Sequence, residues 1–278
     1  MHLMRKARQR LRQAEAALRY RPFRGRLSEG YDRIYHIHIR KCAGTSLNRA
    51  FVEFISGRQD TYRCLAQKKD HRMVFNGRPL VGWNRRAIER GAFLYGFSHI
   101  PYHSLVLPQR TFTFTFLRDP SERVVSHFRM LKDMLAEDSN HPAVHTEGAW
   151  ARGNFSEFLD NLPRQHLQNQ LFMFDQEFDV DRALASLATV DCVYRVEETD
   201  RFLANLACEF GITLSYRHLR KSRHEMNLSE DDRDKMMDML KLECKFYHRA
   251  KLTATAPPVS TAQASLDTSP SLAEKTER

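Results

Sequence analysis

An apolar run, Ile34–Ile39, passes through Arg40-Lys41-Cys42-Ala43-Gly44 into Thr45–Ile55, whose apolar residues recur at helical spacing. A strand that turns through small residues straight into a helix begins a β–α–β unit, and that unit commits a chain to parallel strand pairing. The alternation continues downstream. Phe93–Phe97 reads as a second strand. Thr111–Phe116 reads as a third, with Phe112, Phe114 and Phe116 on one face and threonines on the other. Asp119-Pro120-Ser121-Glu122 opens a helix: Asp caps it, Pro suits its first position, and Glu three residues on can complete a capping box. Helices are also expected at Phe155–Leu162, Arg164–Phe174, Asp181–Leu187, Asp200–Phe210 (closed by Gly211) and Ser229–Ala250, with a strand at Cys192–Val196. This pattern predicts an α/β fold of three layers, a central, mostly parallel sheet flanked by helices. Leu131–Trp150, rich in Pro, His, Asp and Asn, reads as a loop or excursion that could shape a substrate cleft.

Charge divides the chain unevenly. Of 278 residues, 44 are Lys or Arg and 34 Asp or Glu, for a net +10. Residues 1–26 hold nine basic side chains and one acid, Glu15, a net of +8, so the remainder carries only +2. A nucleic-acid-binding domain is basic over its folded body, so no nucleic acid is expected as a partner. Residues 1–26 read instead as a basic amphipathic arm, helical over 3–19, suited to an anionic membrane surface. Residues 27–252 read as the folded domain. Residues 253–278, rich in Ala, Ser, Thr and Pro, read as a disordered tail. No run approaches ~18 apolar residues, so a cytoplasmic protein is expected, with peripheral membrane association through the basic helix as the alternative. The five cysteines are widely spaced with no CxxC, against a zinc site or disulfide framework. His36-x-His38 and His99-x3-His103 lack a neighbouring Asp, Glu or Cys set, and no metal is expected; surface or site histidines are the plainer reading.

Two segments carry chemistry. In the first, Lys41-Cys42-Ala43-Gly44-Thr45-Ser46, a loop of small residues meets a helix N-terminus, where free N–H groups and the helix dipole favour an anion. Gly44 lets the backbone approach a phosphate, Thr45 and Ser46 add hydroxyl donors, and Lys41 adds a mobile charge. The lysine precedes the glycine, unlike the Walker A order. A plain strand–turn–helix junction is the alternative. In the second, Leu117-Arg118-Asp119-Pro120-Ser121-Glu122-Arg123-Val124-Val125-Ser126-His127-Phe128, Arg118 ends a strand, and Arg123 and Ser126 share a helix face. A guanidinium and a serine hydroxyl there suit a phosphate. The alternative is surface pairing of Arg118 and Arg123 with Asp119 and Glu122.

Together the two segments resemble the 5′-phosphosulfate loop and 3′-phosphate segment of sulfotransferases, more narrowly the carbohydrate-type family with its PKxxGTS and LRDPxxRxxSxY patterns. Arg40 stands where that family has proline, and Phe128 near its usual aromatic position. Gly96-Phe97-Ser98-His99-Ile100-Pro101-Tyr102 is similar to its histidine segment, one residue longer between Gly and His, and Asn169-Gln170 to its NQ helix. The resemblance spans about residues 31–250. It implies a P-loop NTPase-like fold that binds 3′-phosphoadenylyl sulfate and passes the sulfonate to a hydroxyl, a carbohydrate or another acceptor, with no metal. On that resemblance Lys41 serves the bridging oxygen, and Cys42, Ala43, Gly44, Thr45 and Ser46 hold the 5′-phosphate. Arg118 and Ser126 hold the 3′-phosphate, and Lys221 and Arg223 form a basic loop over the cofactor. His99, with an ordinary pKa near ~6.5, is the base, and His103 and Glu53 are weaker substitutes. Rival readings are a P-loop-type kinase using ATP and a non-catalytic binder of anionic lipid or nucleic acid through the arm.

Overall fold

The structure, a computed structural model, describes residues 20–137, 142–217 and 227–253. The basic helix expected over 3–19, Lys221 and Arg223, and the tail past Thr253 lie outside the described residues.

The strands are β1 (Arg33–Ile37), β2 (Arg72–Phe75), β3 (Arg78–Gly82), β4 (Tyr95–Ser98), β5 (Thr111–Leu117) and β6 (Cys192–Arg195). They form one sheet in the order β2-β3-β4-β1-β5-β6, parallel throughout except for the antiparallel pair β2–β3. The helices are α1 (Gly44–Ser56), α2 (Thr61–Gln67), α3 (Arg85–Glu89), α4 (Pro120–Ala136), α5 (Pro142–Glu147), α6 (Phe155–Asn161), α7 (Arg164–Leu167), α8 (Asn169–Phe174), α9 (Val180–Leu187), α10 (Thr199–Phe210), α11 (Glu230–Met239) and α12 (Lys241–Arg249). The expected α/β architecture is present. On β5, Phe112, Phe114 and Phe116 pack on Phe202 and Phe210 of α10. Its other face is closed by hydrogen bonds, Thr115 Oγ1 donating to the Ile37 carbonyl at 2.9 Å and Thr113 Oγ1 to Asp191 at 2.6 Å.

Besides the short helices α2 and α3, which were not expected, the structure departs from the sequence pattern in four places. The hairpin β2–β3 was not expected, although Asn76-Gly77 at its turn, both at positive φ (47° and 75°), carries the usual signal for a tight two-residue loop. The single helix expected over Arg164–Phe174 is broken at Gln168, and that over Ser229–Ala250 at Leu240. Both breaks feed buried polar side chains: Arg123 donates to the carbonyls of His166 and Leu167, and Gln168 Nε2 to the Met239 carbonyl. Finally, Leu131–Trp150 is largely helical. Here α4 continues to Ala136, and α5 and a 3-10 turn at Gly148–Ala151 follow. Leu131 and Ala151 belong to a second core with Val124, Phe128, Phe158 and Leu240.

Packing of the body begins ahead of β1. Tyr20 is buried, the Phe23 N–H donates to the Gly91 carbonyl at 2.8 Å, and buried Arg33 donates to the Phe23 carbonyl. At the other end the Thr253 N–H donates to the Val193 carbonyl along the outer edge of β6.

Candidate active site

Strands β4, β1 and β5 lie side by side, and each delivers one piece of the site from its carboxyl end. The chain leaves β1 to build β4 on one side and β5 on the other, so this end is the point where strand order reverses and where open α/β sheets hold ligands.

The loop after β1 takes positive φ at Lys41 (66°) and Ala43 (58°). Ala43 is the N-cap of α1 and offers no side-chain cap, and no acid lies in the first turn. That helix end therefore presents backbone N–H groups and the positive pole of its dipole, flanked by partly exposed Lys41, Thr45 and Ser46. Two of the expected phosphate-loop residues are set by neighbours within the protein. Gly44 has ordinary negative φ, and what demands glycine is His38: a Cβ at residue 44 would lie 1.9 Å from its imidazole Cδ2. Cys42 is buried and turned inward, its N–H toward the Ile39 carbonyl (3.4 Å) and its thiol toward the Arg40 carbonyl and Gln170 (3.7 Å each). Its thiol helps to hold the loop.

Arg118 follows β5 directly and meets this loop, donating from Nη1 to the Lys41 carbonyl at 3.4 Å. Its Nε and Nη2 both reach Glu122 Oε2 at 3.2 Å, an exposed i,i+4 pair. Glu122 therefore faces Arg118, while Asp119 alone caps α4 by accepting from the N–H groups of Ser121 and Glu122. An exposed pair of this kind contributes little stability, so the guanidinium can exchange its carboxylate for a phosphate. Ser126, one turn beyond Glu122 on the same helix face, is partly exposed beside it. Arg123 does not share that role. It is fully buried against Glu243 of α12 at 2.8 Å, so neither surface pairing nor phosphate binding describes it.

The first turn of α8 locks the two segments together. Asn169 Oδ1 accepts from the Arg40 N–H (3.2 Å). Gln170 accepts from the Arg118 N–H (2.8 Å) and donates to the Arg118 carbonyl (2.9 Å) and to Glu243 (3.0 Å).

His99 stands one residue past β4. Its Nδ1 is 2.7 Å from the His38 carbonyl; a carbonyl only accepts, so Nδ1 carries the proton and Nε2 keeps its lone pair. Burial, and then the charge of Arg40, push this imidazole down to about 4, below the value expected from its residue type. The ring is therefore neutral at pH 7, a base ready to accept, and it would charge only as pH falls through about 4. For kcat/KM measured against pH, the acid limb of the free enzyme should fall near pH 4, and a limb near ~6.5 would assign it to an unperturbed histidine instead. His103 sits in the 3-10 turn Tyr102–Ser104 with its ring against Phe172. Glu53 lies nine residues into α1, about 13 Å along the axis from Gly44, outside reach of the loop.

A charged cluster that the sequence did not disclose borders His99. Arg40 pairs with Glu147 at 2.6 Å, and Glu147 accepts from His127 Nε2 at 3.0 Å. Burial opposes the Glu147 charge, but His127 and Arg40 outweigh it and bring the carboxyl down to about 2. Arg40, in the place of the family's proline, thus ties the loop to the end of α5. No local signal links residues so far apart. His36 and His38 are buried rather than at the surface, and among the described residues no group of His, Cys, Asp and Glu is arranged to hold a metal ion.

A family model described as the Sulfotransferase family matches residues 27–248, taking in the loop after β1, His99, Arg118 and the helices that clamp them. A comparison with curated proteins finds no match. The chain belongs to the sulfotransferase family, and it is a transferase.

Proposed function

We propose that this sulfotransferase takes its sulfonate from 3′-phosphoadenylyl sulfate and passes it to a hydroxyl acceptor, a carbohydrate hydroxyl by resemblance, by in-line displacement with His99 as base. The observation that carries this reading is the Arg118–Lys41 contact, which sets a helix N-terminus without a side-chain cap and an exchangeable guanidinium at one sheet end. Two anion sites so placed suit a nucleotide with phosphates on both sides of its ribose.

The residues present fit such a donor. The first turn of α1, with Ala43, Gly44, Thr45 and Ser46, offers N–H and hydroxyl donors to the 5′ end. Arg118 and Ser126 serve the 3′-phosphate. When bound, the donor supplies an activated sulfonate whose transfer leaves new negative charge on the 5′-phosphate. Lys41, at the mouth of the same loop, neutralises that charge, and His99 Nε2 accepts the proton of the attacking hydroxyl. The Arg40–Glu147 pair borders the acceptor side. The basic residues ahead of Tyr20, which itself packs into the body, are proposed to attach the enzyme, proposed to be cytoplasmic, to an anionic membrane surface.

The test is transfer of radiolabelled sulfonate from 3′-phosphoadenylyl sulfate to a panel of glycans, lipids and phenols. Labelled glycan is the expected product. Labelled phenol or lipid alone would refute the carbohydrate acceptor, and magnesium-dependent turnover of ATP in place of sulfonate transfer would refute the donor.

A further inference from the structure

Asn48, in the second turn of α1, is fully buried and its amide is spent on three side chains. Its Oδ1 accepts from the Tyr95 hydroxyl at 2.6 Å and from His36 Nδ1 at 2.7 Å. Its Nδ2 donates to His38 Nδ1 at 3.1 Å. The two ends of one amide thereby set two tautomers: His36 is protonated on Nδ1, and His38, its Nδ1 used as acceptor, carries its proton on Nε2.

The His38 ring is placed where that proton matters. It lies beneath the first residue of α1, so close that a Cβ on Gly44 would be 2.1 Å from Nε2. Its ring lies against that of His99, tilted by 37° with 4.1 Å between ring centroids. Its own carbonyl accepts the His99 Nδ1–H. Burial first, then repulsion that a charged ring would meet from His99 and His36 if protonated and from Arg40 and Lys41, holds its pKa well below the ordinary value, so the ring acts as a neutral donor.

We propose that His38 is a further substrate-contacting residue, donating its Nε2–H to the anion bound at the N-terminus of α1, and that Asn48 is the positioning residue that fixes this tautomer. Residue 38 then serves both reactants: the backbone carbonyl keeps the His99 lone pair on the acceptor side, and the side chain faces the donor. A neutral N–H adds a hydrogen bond without a second cation that would discourage protonation of His99 during transfer. The inference rests on the reading that a phosphate end binds at α1.

Two measurements on the full chain test it with adenosine 3′,5′-bisphosphate as probe. Imidazole ¹⁵N resonances should show His38 protonated on Nε2 in the free protein, and that resonance should move on saturation with the bisphosphate. By calorimetry, His38→Leu should bind the bisphosphate about tenfold to a hundredfold more weakly, the loss of one hydrogen bond to a charged group, while His38→Gln, which keeps an amide donor, should stay within about threefold of wild type. Wild-type affinity in His38→Leu, an unprotonated Nε2, or a resonance that ignores the nucleotide would each overturn the proposal. Should His38→Leu not fold, the wild-type spectra decide. A wild-type protein that does not bind the bisphosphate removes the function reading itself, and this inference with it. That outcome is distinct from tight binding with a silent His38.

Discussion

Lys41→Ala should lower kcat for sulfonate transfer by about 10²–10³-fold, the usual cost of deleting one preorganised group that stabilises transition-state charge. The side chain is partly exposed at φ 66°, a conformation that alanine and lysine tolerate alike, so the backbone has little reason to respond. The loop is held by other contacts, namely Asn169 on the Arg40 N–H and Gln170 on Cys42 and Arg118. Thermal unfolding should therefore be nearly unchanged while single-turnover transfer collapses. A kcat within about tenfold of wild type would remove Lys41 from the reaction, since a smaller loss is within reach of indirect effects.

Glu243→Ala should have the largest effect on stability. Arg123 and Glu243 are both fully buried, and Glu243 also accepts from the Gln170 side chain and its N–H. Removing the carboxylate strands a guanidinium in the interior, which costs about 3–5 kcal/mol and, for a domain of this size, about 6–20 °C in Tm. The same change loosens Gln170, whose amide brackets the backbone of Arg118. Weaker bisphosphate binding in whatever fraction stays folded is expected alongside. Differential scanning calorimetry reads the first effect. A double change, Arg123→Met with Glu243→Leu, should recover most of the stability, because two apolar groups need no counter-charge. A single variant melting within about 2 °C of wild type would mean that water or another group already compensates Arg123.

What the sequence disclosed and what it hid have physical reasons. β1 and β5 and the helix at Asp119 were legible because their signals are local: apolar runs, a cap, a proline at the first helical position. The positions of Lys41, His99 and Arg118 near one end of the sheet were legible for the same reason, each lying just past the end of an expected strand. The hairpin β2–β3 escaped because its strands are short and partly exposed and one contains Pro79, although Asn76-Gly77 marked the turn. The breaks at Gln168 and Leu240 could not be read locally, because no glycine or proline stands there. They exist because buried Arg123 and Gln168 need main-chain carbonyls as acceptors, a tertiary demand that overrides helix propensity. The Arg40–Glu147 and Arg123–Glu243 pairs join residues more than a hundred positions apart, where spacing carries no information. At Gly44 the His38 imidazole occupies the space a side chain would need, a contact that spacing along the chain does not disclose.

The most direct measurement is calorimetric titration of the full chain, and of Arg118→Ala, with adenosine 3′,5′-bisphosphate and with the 5′-monophosphate. Grip on both phosphates requires the wild type to bind the bisphosphate about tenfold to a hundredfold more tightly, and Arg118→Ala to lose most of that margin while holding the monophosphate as before. Equal affinity of the wild type for the two nucleotides would contradict it.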